Sequence, residues 1–293
     1  MTVLKIAIQK SGRLKDDSIN LLKECGISIN NSNNQLMAQA SNFQLEVLYL
    51  RNSDIPGYVK DGVADIAIIG ENTEIEKQTG INKLIPLGFS KCKVSIAVPK
   101  EVDFTGVEWL NSKSIATSYP NTLKAFLKEN NIVAKIHEIS GSVEIAPNVG
   151  IADCICDIVS TGSTLFKNGL KEVYQILESE AILVSNQNLS EEKKEILQRL
   201  IFRIKSVLSA SNTKYVMLNA KKESLETICN LLPGIKSPTI MPLKEEGWYS
   251  VHSVINENKF WSVIDELGKA GAQGILVIPI EKIINFNDRY SKI

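Results

Sequence analysis

The sequence has 293 residues, 44% hydrophobic and 23% charged, which is ordinary for a globular protein but too long for one typical domain. The 33 basic residues balance the 33 acidic ones, so no overall field attracts a nucleic acid or a membrane surface, and any anion site must be local. No stretch approaches the length of a membrane span, and the N-terminal residues contain no apolar region long enough for a signal peptide, so we expect a cytoplasmic protein.

The cysteines and histidines form no recognisable catalytic or metal-binding motif. The five cysteines include no C-x-x-C pair, and Cys154 and Cys156, although they would share one face of a strand, lack the further ligands of a zinc site. We expect all five to be reduced. His137 and His252 lie in no motif, so catalysis by an imidazole is disfavoured.

The first predicted strand, residues 4–8, ends at a basic loop. Lys10 and Arg13 flank Gly12 there, at the carboxyl end of the strand, where open α/β sheets bind their ligands. A helix over residues 16–25 is predicted to follow, because acidic residues occupy its first turn and a glycine lies just past its end. The loop is either a site for anionic groups or a solvated basic turn.

A Gly-x-Ala-Asp motif occurs twice, ending at Asp65 and at Asp153, and each copy leads into a short apolar stretch and then a turn. A strand over residues 44–50 and a short helix capped by Asp54 are predicted before the first copy. We infer two similar lobes, each offering one strand-end turn to a shared cleft. The motif can also recur for structural reasons alone, as a helix stop and a strand entry.

The most informative stretch joins a buried strand, residues 155–159, to a turn rich in hydroxyl groups. Gly162 can adopt a positive φ, and the small side chains around it let an anion reach the backbone. A helix beginning near Thr164 would direct its free N–H groups at that anion. Asp157 is placed to accept hydrogen bonds from sugar hydroxyls. Such turns are common, and the spacing is that of neither a Walker A loop nor a dinucleotide-binding fold.

The remaining periodicity predicts two lobes and a third, separate unit. We expect strands at 83–89, 93–98, 114–117, 135–139, 173–177 and 181–185, and helices at 120–129 and 191–207. The strands at 173–177 and 181–185 are predicted to return to the first lobe. The first lobe would then comprise residues 1–90 and about 173–208, and the second lobe residues 91–172.

A polar linker is predicted at residues 209–213, and the unit beyond it, residues 213–293, shows strand-helix-strand-strand-helix-strand order. This is the order of a ferredoxin-like fold. The predicted strands are 215–218, 239–243, 248–254 and 275–278, and the helices are 225–232 and 260–267.

Several of these motifs closely resemble the ATP phosphoribosyltransferase family in its long form. The resemblance is carried by GSVEIAP at 141–147, GIAD at 150–153, DIVSTGSTL at 157–165 and NGL at 168–170, and it extends over nearly the whole chain. It implies an α/β catalytic part with two periplasmic-binding-protein-like lobes, and a ferredoxin-like (ACT-like) α+β regulatory domain.

The resemblance also implies the reaction. The phosphoribosyl group of phosphoribosyl pyrophosphate is transferred to N1 of ATP, pyrophosphate is released, and L-histidine, the end product of the pathway, inhibits this first step. It further implies Mg²⁺ bound through the substrate phosphates and dimers that assemble into hexamers. The alternative is a two-lobed small-molecule binding protein or sensor without catalysis.

The resemblance assigns site residues in three groups. Those for phosphoribosyl pyrophosphate are Asp157, Ser160, Thr161, Gly162, Ser163 and Thr164, with Glu144 as a second carboxylate that is either catalytic or a plain helix residue. Those for ATP and phosphates are Lys10, Gly12, Arg13, Gly70, Glu71, Asn72, Ser90 and Tyr119, the last of which is alternatively a core tyrosine. Those for the histidine effector are Pro238, Thr239, Ala272 and Gln273.

Overall fold

The computed structural model describes residues 2–30, 35–160 and 162–286. The chain divides into two compact units, Met1–Leu197 and Gln198–Ile293, and each unit is described by itself. Among the described residues, no helix has both the length and the apolar character that crossing a membrane requires.

The first unit is built from strands and short helices that alternate along the chain. Its strands are β1 (Leu4–Gln9), β2 (Met37–Gln39), β3 (Leu45–Leu50), β4 (Ile66–Gly70), β5 (Asn82–Pro86), β6 (Cys92–Pro99), β7 (Ser114–Thr117), β8 (Lys135–Glu138), β9 (Cys154–Val159), β10 (Leu170–Ser179) and β11 (Ala181–Ser185). Its α-helices are α1 (Arg13–Glu24), α2 (Ile55–Lys60), α3 (Glu71–Lys77), α4 (Pro120–Glu129) and α5 (Ser163–Lys167), and α6 (Glu191–Ala210) begins in it.

Two separate sheets confirm the two predicted lobes. The first sheet has the order β2-β3-β1-β4-β11-β5, and the second has the order β10-β6-β9-β7-β8. β4 is central in the first sheet, and Ile66, Ile68 and Ile69 on it are fully buried. Burial of one such side chain stabilises the fold by about 1.5–3 kcal/mol, which explains why this apolar strand occupies the middle of the sheet.

The chain crosses between the lobes twice, and the second crossing comes later than predicted. β10 pairs antiparallel with β6, from Leu170 beside Pro99 to Ser179 beside Cys92, so it belongs to the second sheet. The prediction that residues 173–177 return to the first lobe is therefore wrong. β11 does lie in the first sheet, between β4 and β5. The second lobe extends to Ser179 because hydrogen bonding to β6 continues to the last residue of β10.

The two Gly-x-Ala-Asp motifs perform the same structural task in both lobes. The backbone N–H of Asp65 donates to Lys5 O at 2.9 Å, and Asp65 Oδ2 accepts from Lys5 N at 2.8 Å. Asp153 repeats the pair with Ser114, with distances of 2.9 Å and 2.7 Å. Each aspartate thus ties the start of one strand to its neighbour, and the opposite strand ends remain available for ligand.

In the first unit, one predicted helix start and one predicted capping bond differ from the structure. α1 begins at Arg13 rather than at residue 16, because Gly12 with φ of 90° reverses the chain directly before it. Asp54 does occupy the N-cap position of α2, but its side chain makes no capping hydrogen bond. Its Oδ1 instead accepts a hydrogen bond from the Ser53 hydroxyl at 2.9 Å.

The second unit confirms the predicted ferredoxin-like order. It contains β12 (Thr213–Lys221), α7 (Leu225–Leu231), β13 (Thr239–Pro242), β14 (Trp248–Asn256), α8 (Glu257–Lys269) and β15 (Gln273–Pro279). The sheet order is β13-β14-β12-β15, and all neighbouring strands are antiparallel. Leu218, Val251 and Leu267 are fully buried between the sheet and the two helices, which gives the unit its own core.

The polar stretch predicted as a linker is mostly part of regular elements. α6 continues to Ala210 and β12 starts at Thr213, so only Ser211 and Asn212 connect them. The Thr213 hydroxyl donates to Ala210 O at 2.7 Å, and Asn212 adopts a left-handed φ of 60°. These contacts turn a sequence that is typical of a flexible linker into a tight turn.

Candidate active site

A cavity of about 400 Å³ lies between the two lobes, next to the segments where the chain crosses from one lobe to the other. The carboxyl ends of β4 and β9 are at its edge. The first lobe contributes Glu71, which directly follows β4, and the second contributes Ser160, which directly follows β9. Two strand-end turns thus face one space. The lining residues are Glu71, Lys91, Cys92, Lys93, Ser160, Glu178, Ser179 and Glu180.

A buried hydrogen-bond network joins the two lobes at this cavity. The Ser179 hydroxyl accepts from the Asn72 backbone N–H at 3.0 Å and donates to Asn72 Oδ1 at 2.8 Å. Asn72 Nδ2 in turn donates to the Tyr119 hydroxyl at 3.1 Å. Asn72 belongs to α3, Ser179 ends β10 and Tyr119 precedes α4, so one side chain connects three elements.

Gly70 is required beside this network because a side chain has no room there. A Cβ atom at Gly70 would lie 2.4 Å from Asn72 Oδ1. The φ of Gly70 is −70°, which any residue can adopt, so the requirement is steric and not conformational. The predicted residues Gly70, Asn72 and Tyr119 therefore lie together.

Asp157 and Glu144 are two carboxylates close enough to interact. Burial raises the pKa of Asp157 from 3.8 to about 6; a hydrogen bond from the backbone N–H of Ile158 opposes this shift, and the charge of Glu144 adds to it. Asp157 lies on β9, and Glu144 lies in a short 3₁₀ helix, Val143–Ile145. The two carboxylates thus interact in a partly desolvated position, which disfavours the ionised form of Asp157.

Gly162, in the hydroxyl-rich turn, has the predicted positive φ. Gly162 has φ of 71° and ψ of −2°, and α5 begins directly after it. Ser160, Ser163 and Thr164 are all exposed. Thr161 lies outside the described residues. The positive φ at Gly162 was predicted, and glycine adopts it without strain.

Of the predicted residues Lys10, Gly12, Arg13 and Ser90, the structure connects Arg13 and Ser90 through Asp17, a residue that the motifs did not indicate. Asp17 on α1 accepts a hydrogen bond from the Ser90 hydroxyl at 2.8 Å, and its Oδ2 lies 3.6 Å from Arg13 Nε. The Arg13 side chain is 70% exposed, and Lys10 is also exposed. The loop after β1 is thereby connected to the segment that enters the second lobe.

Tyr119 and Glu71 were predicted to contact ATP, but in the structure both side chains already bind other side chains of the protein. The pKa of the Tyr119 hydroxyl is raised, first by burial and then by the charge of Asp157, so the phenol stays protonated and its oxygen accepts from Asn72. Glu71 forms an ion pair with Lys83 at 2.9 Å. Tyr119 is thus partly a core residue, as the alternative interpretation held, yet it also lies within the electrostatic reach of Asp157.

Several residues of this region were not indicated by any of the candidate-site motifs. Ser179 and Glu178 close β10, and Lys91 brings a second basic side chain beside Lys93. Lys93 forms an ion pair with Glu172 at 3.8 Å, and Glu172 also accepts from the Ser95 hydroxyl. The sequence pointed to these residues only through the predicted boundary between the lobes. In a two-lobed fold, the segments that cross between the lobes lie next to the cleft.

The predicted effector residues are separated within the second unit. Thr239 begins β13 directly after Pro238, and Gln273 begins β15 directly after Ala272. β13 and β15 are opposite edges of the sheet, with β14 and β12 between them. Three strand spacings amount to about 14 Å, so one small molecule cannot contact both groups in a single chain.

The described residues contain no group of three or more His, Cys, Asp or Glu side chains arranged for a metal ion. Mg²⁺ was expected through the substrate phosphates, which needs fewer protein ligands. Asp157 and Glu144 supply the carboxylate oxygens that hard divalent cations prefer, and their mutual repulsion favours a cation nearby. The residues present therefore fit the ion.

The first unit has two α/β lobes that the chain connects at two crossings, and strand-end turns of both lobes face one cleft. This is a periplasmic-binding-protein-like architecture, and the chain continues into a ferredoxin-like unit. The sequence model of the family HisG, ATP phosphoribosyltransferase, matches residues 51–206, and that of its C-terminal domain matches residues 210–282. The chain belongs to the ATP phosphoribosyltransferase family.

Individual relatives and a solved structure agree with this assignment. The chain is 59% identical to an ATP phosphoribosyltransferase of Cytophaga hutchinsonii over 97% of its own length and 99% of the relative. It is 52% identical to one of Bacteroides thetaiotaomicron, over 96% of this chain and 100% of that one. The solved ATP phosphoribosyl transferase (HisG:HisZ) complex from Thermotoga maritima is 28% identical, with a TM-score of 0.60 over 69% of this chain and 96% of that one. The chain is therefore an enzyme of histidine biosynthesis, and the sensor alternative is not favoured.

Proposed function

We propose that the cavity between the two lobes binds phosphoribosyl pyrophosphate and ATP, and that the chain transfers the phosphoribosyl group to N1 of ATP with release of pyrophosphate. The main support for this proposal is that Ser160, Lys91 and Lys93 line the same cavity as Glu71, which belongs to the first lobe. Hydroxyl and ammonium donors suit phosphate groups, and a cleft between lobes can hold two substrates at once.

Phosphoribosyl pyrophosphate would bind along the end of β9. The turn of Ser160, Thr161, Gly162, Ser163 and Thr164 would bind the 5′-phosphate, with hydroxyl groups and with backbone N–H groups exposed by the glycine. Asp157 would accept hydrogen bonds from the ribose hydroxyls. Mg²⁺, bound through the substrate phosphates beside Asp157 and Glu144, would supply charge neutralisation of the departing pyrophosphate.

Charge at the reacting carbon explains why two carboxylates suit the reaction. As the bond from the ribose to pyrophosphate breaks, positive charge develops on the ribose ring. Asp157 and Glu144 are anionic groups already placed beside the proposed ribose position, and burial strengthens their field. Positioning and electrostatics of this kind need no imidazole, which agrees with the absence of a histidine from every motif.

ATP would bind from the side of the first lobe. Lys10 and Arg13 are exposed cations in the loop after β1, suited to the triphosphate. The adenine would lie near Tyr119 and Asn72, whose hydrogen bond joins the lobes. The missing side chain at Gly70 leaves room for the Asn72 amide in this position.

The second unit would bind L-histidine as an inhibitor. Because Thr239 and Gln273 lie on opposite sheet edges, a site that uses both groups must combine edges from two copies of the chain. Assembly into dimers and hexamers would provide such contacts. Inhibition then requires that histidine binds one arrangement of the enzyme more tightly than another.

Pyrophosphate release tests the proposed function. The purified chain with Mg²⁺, ATP and phosphoribosyl pyrophosphate is expected to release pyrophosphate and to form a phosphoribosyl adduct of ATP by mass spectrometry. Mixtures that lack either substrate serve as controls. Thermal stabilisation by both substrates without any pyrophosphate release would support a binding protein and contradict the proposal.

A further inference from the structure

Helix α3 carries two buried carboxylates, and they bind partners in different lobes. Glu74 accepts hydrogen bonds from the Gly80 backbone N–H at 3.0 Å and from the Thr79 hydroxyl at 2.5 Å, so its contacts stay within the first lobe. Both Glu74 and Glu76 are 6% exposed. They therefore differ in the position of their partners and not in burial.

Glu76 reaches into the second lobe and caps helix α4. Its Oε1 accepts from the Asn121 backbone N–H at 2.9 Å. Its Oε2 accepts from the backbone N–H and from the hydroxyl of Thr122, both at 2.9 Å. The first N–H groups of a helix have no partner within the helix, and a carboxylate there also interacts favourably with the helix dipole. A side chain from the other lobe thus supplies the cap that α4 lacks in its own sequence, since Tyr119 at its N-cap makes no capping bond.

The capped end of α4 adjoins the candidate active site. Tyr119 directly precedes α4, and its hydroxyl accepts the hydrogen bond from Asn72. Asn72 and Glu76 are four residues apart on α3, so they lie on one face of the helix. The same face of α3 therefore binds Tyr119 through Asn72 and the first turn of α4 through Glu76.

We propose that Glu76 is a positioning residue for substrate binding, because its carboxylate fixes the start of α4 and with it Tyr119 against the first lobe. This inference rests on the proposed function, in which Tyr119 lies near the adenine of ATP. Without the carboxylate, two backbone N–H groups and one hydroxyl lose a charged acceptor. Substrate that contacts both lobes must then order them as it binds, so the cost appears in the KM for ATP more than in kcat.

The test compares Glu76→Gln with Glu74→Gln, which makes the same chemical change at an equally buried carboxylate of the same helix. Glu76→Gln is expected to raise the KM for ATP about tenfold with a smaller change in kcat, whereas Glu74→Gln leaves KM within about twofold. Equal effects of the two variants on KM, or no effect of Glu76→Gln, would overturn the proposal, because a purely structural role predicts similar losses of melting temperature only.

A readout without substrate separates this inference from the proposed function. Hydrogen exchange of the Asn121 and Thr122 backbone N–H groups is expected to accelerate in Glu76→Gln but not in Glu74→Gln. Unchanged exchange in Glu76→Gln would refute the connection between the lobes, even if the enzyme is active. If the wild-type protein releases no pyrophosphate, the proposed function fails while the exchange result still decides whether Glu76 joins the lobes.

Thr122→Val keeps the proposal testable if Glu76→Gln does not fold. It removes one hydroxyl donor and leaves both backbone N–H donors to Glu76. A rise in the KM for ATP of about threefold is expected, in the same direction as for Glu76→Gln. An unchanged KM in a folded Thr122→Val protein would count against the inference.

Discussion

Asn72 of the first lobe donates a 3.1 Å hydrogen bond to the hydroxyl oxygen of Tyr119 in the second lobe. Asn72 is 3% exposed, so its amide cannot readily exchange this bond for one to water. Tyr119 is therefore part of the connection between the lobes, and the role proposed for it in ATP binding can be tested separately from this structural one.

Tyr119→Phe retains the ring and removes only the oxygen acceptor. The buried Asn72 donor then lacks a partner, which costs ~1–3 kcal/mol of unfolding free energy. The KM for ATP should rise, because the ring is no longer held against the first lobe. Chemical denaturation and steady-state kinetics measure the two effects. Tyr58→Phe, at a tyrosine that is 40% exposed, is the control and should change neither.

Asp157 should make stability decrease as pH rises. Its pKa is raised in the folded protein from 3.8 to about 6, so the folded protein binds more protons than the unfolded chain between these values. The free energy of unfolding therefore falls as pH increases through this window. Asp157→Asn cannot ionise and should be more stable than wild type above pH 6 but not below 3.8. Melting curves across this pH range test the sign, and a gap that widens toward acid would contradict it.

The same ionisation should control the use of phosphoribosyl pyrophosphate. If the ionised Asp157 carboxylate binds the ribose hydroxyls, kcat/KM for this substrate should increase with pH around an apparent pKa near 6. Asp157→Ala should lose ~1.5–3 kcal/mol of binding to phosphoribosyl pyrophosphate, and ATP binding should change much less. Wild-type kinetics in a correctly folded Asp157→Ala protein would show that the ribose assignment is wrong.

Gly162 and Gly169 provide a matched pair of tests at the two ends of α5. Their φ values are 71° and 72°, and a Cβ at either position meets no atom within 4 Å. Alanine at either should therefore cost a similar ~1–2 kcal/mol of stability through backbone strain. Only Gly162→Ala should also weaken the stabilisation of the protein by phosphoribosyl pyrophosphate, as measured by melting temperature. Gly162→Val, with its branched side chain, should abolish that stabilisation. Equal retention of it in all three variants would exclude an anion site at this turn.

The second unit should be needed for inhibition and not for chemistry. It has its own core around Val216, Val251 and Phe260, and none of the cavity residues belongs to it. A chain that ends at Ser211 should keep some pyrophosphate release, while inhibition by L-histidine disappears; coupling of this kind is typically ~1–3 kcal/mol. Full inhibition of the shortened chain would place the effector site in the first unit.

The sequence predicted the elements better than it predicted their partners. Apolar, β-branched stretches such as Ile66–Gly70 fix a strand locally, and the strand is found there. β10 was assigned to the wrong lobe because the residues of a strand determine that it is extended but not which sheet it pairs with. The turn at Ser211 and Asn212 was mistaken for a linker because its polar composition is common to both.

In the candidate site, too, local backbone features could be predicted from the sequence and long-range contacts could not. The positive φ of Gly162 follows from the identity of one residue and its neighbours, so it could be predicted. The contact of Asn72 with Ser179 joins residues 107 positions apart, and Asp17 meets Ser90 across 73 positions. The residues around each of these side chains do not indicate its partner, because the partners come together only when the chain has folded.

The two chain crossings lie side by side and are hydrogen-bonded to each other, through Leu87 N to Ala181 O at 2.9 Å and Ala181 N to Phe89 O at 3.0 Å. Cys92 and Ser179, which line the cavity, pair with each other directly beyond these crossings. The base of the cavity is therefore formed by the two covalent connections between the lobes, which backbone hydrogen bonds hold side by side. A ligand that rests on this base contacts both lobes at a place where backbone pairing, and not side-chain contact alone, sets their spacing.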